Sequence, residues 1–248
     1  MRRLIVPISV ACLSVSFTFI PTVQTSSNIN NKFVADSHST FNDSSFTVAA
    51  STSSVIYNNI NLQQYGLSEE AFAYAYRGYQ YLLAKKLISR SDYLTICDFS
   101  KSSKQKRFYV IDITNSKLLL NTYVAHGRNS GGEYATRFSN RPQSLQSSLG
   151  FYVTGNTYTG GHGLALKIDG VDPGFNDKAG QRNIVIHGAT YIDEAWLKHS
   201  AYMGRSYGCP AIPLNESNTI INTIKNGTCL FIYHPGKNYL LRSKILNG

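Results

Sequence analysis

The hydrophobic pattern changes character along the chain. Leu4 to Ile20 is apolar with only scattered Ser and Thr, and Pro21 closes the run. From there to about residue 60 no period is found, because Ser, Thr and Asn dominate and large apolar side chains are sparse. In Leu67 to Leu87 apolar residues recur at helical spacing, with Phe72, Tyr76, Tyr79 and Leu83 on one face. Ser68 is placed to cap that helix, Glu69 and Glu70 complement its first turn, and Lys85 and Lys86 its last. Its tyrosines read as a face turned to a core rather than a sugar-binding stripe.

Beyond Tyr93 the period shortens to that of strands. Tyr93–Phe99, Arg107–Ile113, Lys117–Ala125, Leu149–Thr154, Leu164–Ile168, Asn183–His187 and Thr228–His234 are short and rich in β-branched or aromatic residues. Gly, Asn, Ser and Pro separate them. Asp193–Ser200, with the single Trp196, and Asn215–Asn226, with Ile220, Ile221 and Ile224, read as short helices. The pattern predicts a mainly β domain over residues 93–248, a helical extension over 61–92, and a flexible linker over 28–60 that cannot bury enough surface to order itself.

Chemistry concentrates at two places in this frame. Ile184-Val185-Ile186-His187-Gly188 brings an imidazole to the end of a strand, and Gly204-Arg205-Ser206-Tyr207-Gly208-Cys209-Pro210 presents a cysteine in a turn. A thiolate needs a partner that takes its proton or lowers its pKa, and imidazole is the usual one. Gly208 leaves the backbone N–H groups around Cys209 open to a developing oxyanion. The competing reading, a packed structural cysteine, fits poorly between a glycine and a proline, where no regular element runs through.

These two runs resemble the signature of the murein L,D-transpeptidase catalytic-domain family. The likeness extends through His126-Gly127-Arg128-Asn129-Ser130-Gly131, Phe138-Ser139-Asn140, Ser147-Ser148-Leu149-Gly150-Phe151-Tyr152 and Asn183 to Ala189, over roughly residues 93 to 235. The better-known branch of that family has a histidine where this chain has Tyr207, and a polar or basic residue soon after the cysteine, where this chain has Pro210-Ala211-Ile212-Pro213. The resemblance implies a β-sandwich of mixed sheets with short helices. It implies Cys209 as nucleophile, His187 as base and the Gly188 carbonyl as the group that orients the imidazole. Gly208 and Cys209 N–H groups would hold the oxyanion, and Arg205, Ser206 and Tyr207 would lie against the substrate, a peptidoglycan stem peptide. Transfer to an amine gives a cross-link; water at the same site gives an L,D-carboxypeptidase. A non-catalytic wall-binding module is the reading outside enzymes, and a sortase-like or papain-like peptidase lacks a clear third triad member. His126 and His162 each stand before a glycine; the resemblance leaves His126 as either an accessory group near the cleft or a structural residue, and His162 reads as structural.

Composition narrows the partners. With 248 residues and 42% apolar content there is room for one well-filled domain without disulfide staples. Arg2 and Arg3 ahead of the apolar run make residues 1–27 an export signal or, less well matched in length, a membrane anchor. An exported chain of net charge +10 is drawn to anionic envelope polymers in the periplasm or cell envelope rather than to nucleic acid. Lys101 to Arg107 is the densest basic patch and reads as a solvated loop, since no aromatic residues are interleaved to stack bases. Cys97 and Cys229 either pair, should their strands be neighbours, or stay as buried thiols. No spacing of His and Cys suits zinc, and the run Asp169 to Asp177 lacks the alternation of a calcium loop and reads as turn chemistry. No metal, no cofactor and a monomer are expected.

Overall fold

The computed structural model describes residues 43–161 and 163–248. The export or anchor segment, the first part of the expected linker, Cys12 and His162 lie outside the described residues.

Among the described residues two α-helices precede the sheet, α1 (Asp43–Ile60) and α2 (Glu69–Ala84), with a 3-10 turn at Leu62–Tyr65 between them. The first corrects the linker expectation over its own length. Tyr57 and Ile60 are buried against α2, and the Tyr57 hydroxyl donates to the Leu67 carbonyl at 2.6 Å. A Ser/Thr-rich segment thus gains from tertiary packing what its own propensity does not supply. In α2 the expected cap is present, Ser68 Oγ accepting from Ala71 N–H at 3.1 Å. Phe72, Ala75, Tyr79 and Leu82 are its buried face, turned to strands β1 (Tyr93–Asp98) and β8 (Cys229–Tyr233).

The remaining strands are β2 (Phe108–Asp112), β3 (Lys117–Thr122), β4 (Gly150–Gly160), β5 (Gly163–Gly170), β6 (Val185–Ala189) and β7 (Ala211–Pro213). The mainly β class is what the chain adopts, with all eight strands in one mixed sheet of order β3-β2-β1-β8-β4-β5-β6-β7. Pairing is parallel between β1 and β8 and between β6 and β7, and antiparallel elsewhere. The short β7 has no signal of its own in the sequence; it exists because β6 offers it an edge.

The sheet nearly closes on itself. Ala125, just past β3, makes an antiparallel bridge to Ala211 on the far edge, with its N–H donating to the Ala211 carbonyl at 2.8 Å. Curling lets the inward side chains of distant strands share one core, in which Phe151 and Phe231 stack at 4.1 Å. It also carries the run after Ala125 onto the loop that leads into β7.

Four short helices complete the chain: α3 (Glu194–Leu197), α4 (Leu214–Ile224), α5 (Lys237–Arg242) and α6 (Lys244–Asn247). The last two were not expected. They are tied down by the buried Asp172, whose carboxylate accepts from Tyr239 Oη, Ser243 Oγ and Phe151 N–H at 2.7 to 3.0 Å. Asp172 N–H in turn donates to Asn176 Oδ1, the turn chemistry expected of that run.

Cys97, Cys209 and Cys229 are free thiols. Strands β1 and β8 are neighbours, but Cys97 faces Ile232 and Cys229 faces Leu94. Three positions of parallel strand separate the sulfurs by about 10 Å, beyond disulfide reach.

The basic patch is not simply a solvated loop. Arg107 is fully buried, donating to the Val124 carbonyl at 2.9 and 3.1 Å, to the Lys101 carbonyl at 2.8 Å and to His126 Nδ1 at 2.8 Å. Its guanidinium also stacks on Phe99 at 4.9 Å. Neutral acceptors satisfy a charge that sequence proximity to Lys101, Lys104 and Lys106 places in solvent.

Candidate active site

Strand β6 carries His187, and β7 begins two residues after Cys209. Because the strands run parallel with His187 opposite Ala211, imidazole and thiol line the same cavity, of about 970 Å³. The crossover that a parallel pair requires, residues 190–210, forms the cavity's outer wall with Tyr191, Trp196 and Tyr202.

His187 Nδ1 lies 3.0 Å from the Gly188 carbonyl oxygen. That oxygen can only accept, so Nδ1 carries the proton and Nε2 is the unprotonated nitrogen of the neutral ring. The backbone at Gly188 is backed by α4. A Cβ on Gly188 would come within 2.5 Å of Ser217 Oγ and 2.9 Å of Leu214 Cδ1, so the helix packs directly on backbone.

The turn that presents Cys209 is braced from inside. Ser206 Oγ donates to the Cys209 carbonyl at 2.6 Å and accepts the Gly208 N–H at 3.1 Å. The Gly208 N–H, expected to face an oxyanion, is therefore committed to the turn itself; a hydroxyl two residues back is a closer and pre-aligned acceptor. Gly208 has φ of 127°, a conformation that L side chains rarely adopt. Its carbonyl accepts from Ser147 Oγ at 3.2 Å, and that hydroxyl accepts Gly127 N–H at 3.0 Å.

A strap runs alongside. Arg128 N–H donates to the Ser206 carbonyl at 2.8 Å and Ser206 N–H to the His126 carbonyl at 3.1 Å. Near-closure of the sheet thus brings the His126-Gly127-Arg128 run against the turn that carries Cys209. His126 itself is wholly buried, and its ring meets Arg107 rather than the cavity. Burial, then the neighbouring guanidinium, bring its pKa down to about 4.

The thiol donates to the Asn183 carbonyl at 3.7 Å. Asn183 holds φ of 52°, a left-handed conformation that asparagine tolerates better than most residues. Burial pushes the Cys209 thiol up; the Val185 N–H, the Arg182 guanidinium and the cysteine's own N–H pull it down.

Arg205 is exposed and lies over the Tyr202 ring at 5.1 Å, while Nη1 donates to the carbonyls of Gly131 and Arg128 at 3.0 and 3.3 Å. Arg128 lies over Tyr207 at 5.9 Å, and Tyr207 is 70% exposed. Arg128, Arg182 and Arg205 all line the cavity, and among the described residues no Asp or Glu does. Sequence reasoning missed Arg182, Asn183 and Tyr191 as neighbours of the thiol; all three flank the His187 run, and nothing in their spacing marks them. Among the described residues no group of three His, Cys, Asp or Glu side chains is close enough to hold a metal ion.

A family model described as "L,D-transpeptidase catalytic domain" matches residues 63–233. No curated protein matches the chain. Among solved structures, an L,D-transpeptidase from Mycobacterium smegmatis aligns at 10% identity over 58% of this chain and 59% of its own, with a TM-score of 0.37. One from Mycobacterium tuberculosis aligns at 13% identity over 58% of each chain, with a TM-score of 0.35. A mutant L,D-transpeptidase of Enterococcus faecium aligns at 14% identity over 57% of this chain and 50% of its own, with a TM-score of 0.34. The chain thus spans between half and three-fifths of those proteins' length. Likeness at that level carries no argument about activity.

Proposed function

The chain belongs to the L,D-transpeptidase catalytic-domain family, and from that premise we propose that it remodels peptidoglycan through a thioester on Cys209. The observation that carries the reading is the His187 Nδ1 to Gly188 carbonyl bond, which leaves Nε2 as a base on the cavity that holds the thiol.

His187 Nε2 takes the Cys209 proton, and the thiolate attacks the carbonyl on the L-configured centre of the third stem residue. The C–S bond forms as the carbonyl π pair moves to oxygen. The Cys209 N–H, rather than that of Gly208, is the donor left in this turn for the oxyanion. Collapse breaks the C–N bond, and the terminal D-amino acid leaves with the proton from His187. An amine of a neighbouring stem then attacks the thioester, gives its proton to His187 and expels the thiolate. Water in place of the amine makes the site a carboxypeptidase. Arg128 and Arg205 offer cations to the carboxylates of an anionic stem, against the aromatic wall formed by Tyr202 and Tyr207. The basic start and apolar run of residues 1–27 support action outside the inner membrane.

Intact-mass spectrometry of the full chain with tetrapeptide muropeptides, beside Cys209→Ala, tests this. A Cys209-dependent acyl adduct followed by dimers is expected. Tripeptides without dimers would turn the reading to a carboxypeptidase, and no adduct with no turnover would turn it to a binding module.

A further inference from the structure

Arg182 lies beneath the catalytic turn with all its visible hydrogen bonds directed at neutral oxygens. Nη1 donates to the Ser139 carbonyl at 2.8 Å and Ser148 Oγ at 3.0 Å; Nη2 donates to the Gln146 carbonyl at 2.5 Å and Ser144 Oγ at 3.3 Å. Among the described residues no carboxylate pairs with it. The guanidinium is half-buried, lines the cavity, and stands against the residue before the nucleophile, since a Cβ on Gly208 would be 3.3 Å from Nη2.

A cation that is removed from water without a counter-ion is costly unless something nearby uses its field. Four donated bonds hold the plane of this guanidinium, so its charge is fixed relative to the turn rather than swinging in solvent. The ionisable groups that line the cavity with Cys209 are His187 on β6, Tyr158 on β4, Tyr191 and Tyr202 on the crossover, Tyr207 and Arg205 on the turn, Arg128 on the strap and Arg182. Arg205 and Arg128 are exposed, and water screens them. Facing Arg182 itself are Cys209 and, from β4, the buried Tyr152 phenol.

We propose that Arg182 is a positioning residue that supplies the fixed positive charge favouring ionised Cys209, while clamping residues 139–148 under the catalytic turn. The direction agrees with the thiol, which burial raises and the Arg182 guanidinium lowers. The assignment rests on Cys209 being the nucleophile, but not on which acyl acceptor is used.

Alkylation by iodoacetamide across a pH series, read on the full chain at the Cys209 peptide, tests the charge without requiring turnover. Arg182→Gln keeps a donor and loses the charge; Arg182→Lys keeps the charge and loses the planar fork. Ser144→Asp keeps Arg182 and sets a carboxylate beside it at a half-buried position, so it reports even where Arg182→Gln does not fold. The expected result is an alkylation midpoint at least one pH unit higher in Arg182→Gln, about a tenfold loss of reactive thiolate at neutral pH. Ser144→Asp should shift the midpoint the same way, and Arg182→Lys should recover most of the wild-type profile. Unchanged midpoints in Arg182→Gln and Ser144→Asp would overturn the proposal. Equal shifts in Arg182→Gln and Arg182→Lys would reduce Arg182 to a clamp and overturn it likewise. A wild-type thiol that alkylates normally in a chain that never acylates with muropeptides would refute the proposed function and leave Arg182 in place.

Discussion

His187 donates through Nδ1 to the carbonyl of the residue that follows it, Gly188, at 3.0 Å. A peptide carbonyl holds this imidazole, where an acidic residue holds it in a Ser-His-Asp triad. Unlike a carboxylate, it adds no full negative charge beside the thiol. His187→Gln should lower the acylation rate with muropeptides by about a hundredfold or more, the usual contribution of a general base. Acylation by Cys209 in that variant should respond to pH as an unassisted thiol does, with the rate rising into the alkaline range. A retained neutral-pH plateau would mean another group takes the proton.

Gly78 sits inside α2, where helix propensity alone predicts that alanine would stabilise by about 1 kcal/mol. The structure reverses the sign. A Cβ there would come within 1.9 Å of Phe151 Cζ, with the ring face pressed on the helix backbone. Gly78→Ala should destabilise by about 3 kcal/mol, measured by urea unfolding, and Phe151→Leu in the same chain should recover part of the loss.

His126 gives a pH dependence with a definite sign. Its pKa falls from 6.5 to about 4 on folding, so as pH drops the unfolded chain takes up the proton first. Its contribution is whole above about pH 6.5 and falls away as pH descends toward 4, by at most about 3 kcal/mol. Urea unfolding across that window should show a shallower pH slope for His126→Asn than for wild type. Equal slopes would count against a neutral, buried imidazole.

Arg128 and Arg205 should separate on substitution. Among the described residues Arg128 makes no hydrogen bond from its side chain, so Arg128→Gln should leave the melting temperature unchanged while raising KM for muropeptides about tenfold. Arg205 ties the strap through the carbonyls of Arg128 and Gly131, so Arg205→Gln should also destabilise by about 1 kcal/mol. Equal thermal behaviour of the two would remove the structural role of Arg205.

Cys97 and Cys229 are buried, burial pushes both thiols up, and the register of β1 and β8 keeps them apart. Reductant should therefore leave the melting temperature unchanged, and alkylating agents should reach these two positions only after unfolding. A lower melting point under reductant would indicate a covalent link.

The strand pattern and the α2 cap at Ser68 were legible in the linear chain because each depends on local chemistry: period, and a hydroxyl before two acids. His187 and Cys209 stood out there only as candidates, by residue type and a glycine-flanked turn; folding sets both on one cavity. The same order of motifs was enough for the family. Non-local geometry decided the rest. Whether α1 was linker or helix depended on a partner surface supplied by α2, and β7 depended on the edge of β6. Burial of Arg107 and the commitment of the Gly208 N–H to Ser206 Oγ follow from neighbours brought in by folding. Sheet closure at Ala125 and Ala211 laid the His126-Gly127-Arg128 run against the Cys209 turn, and the loop of residues 139–148 closed over Arg182. Sequence alone determined which groups could react, since reactivity belongs to side-chain type. Only the tertiary structure decided which charges and carbonyls surround them, because an electrostatic field depends on distances between residues far apart in the chain.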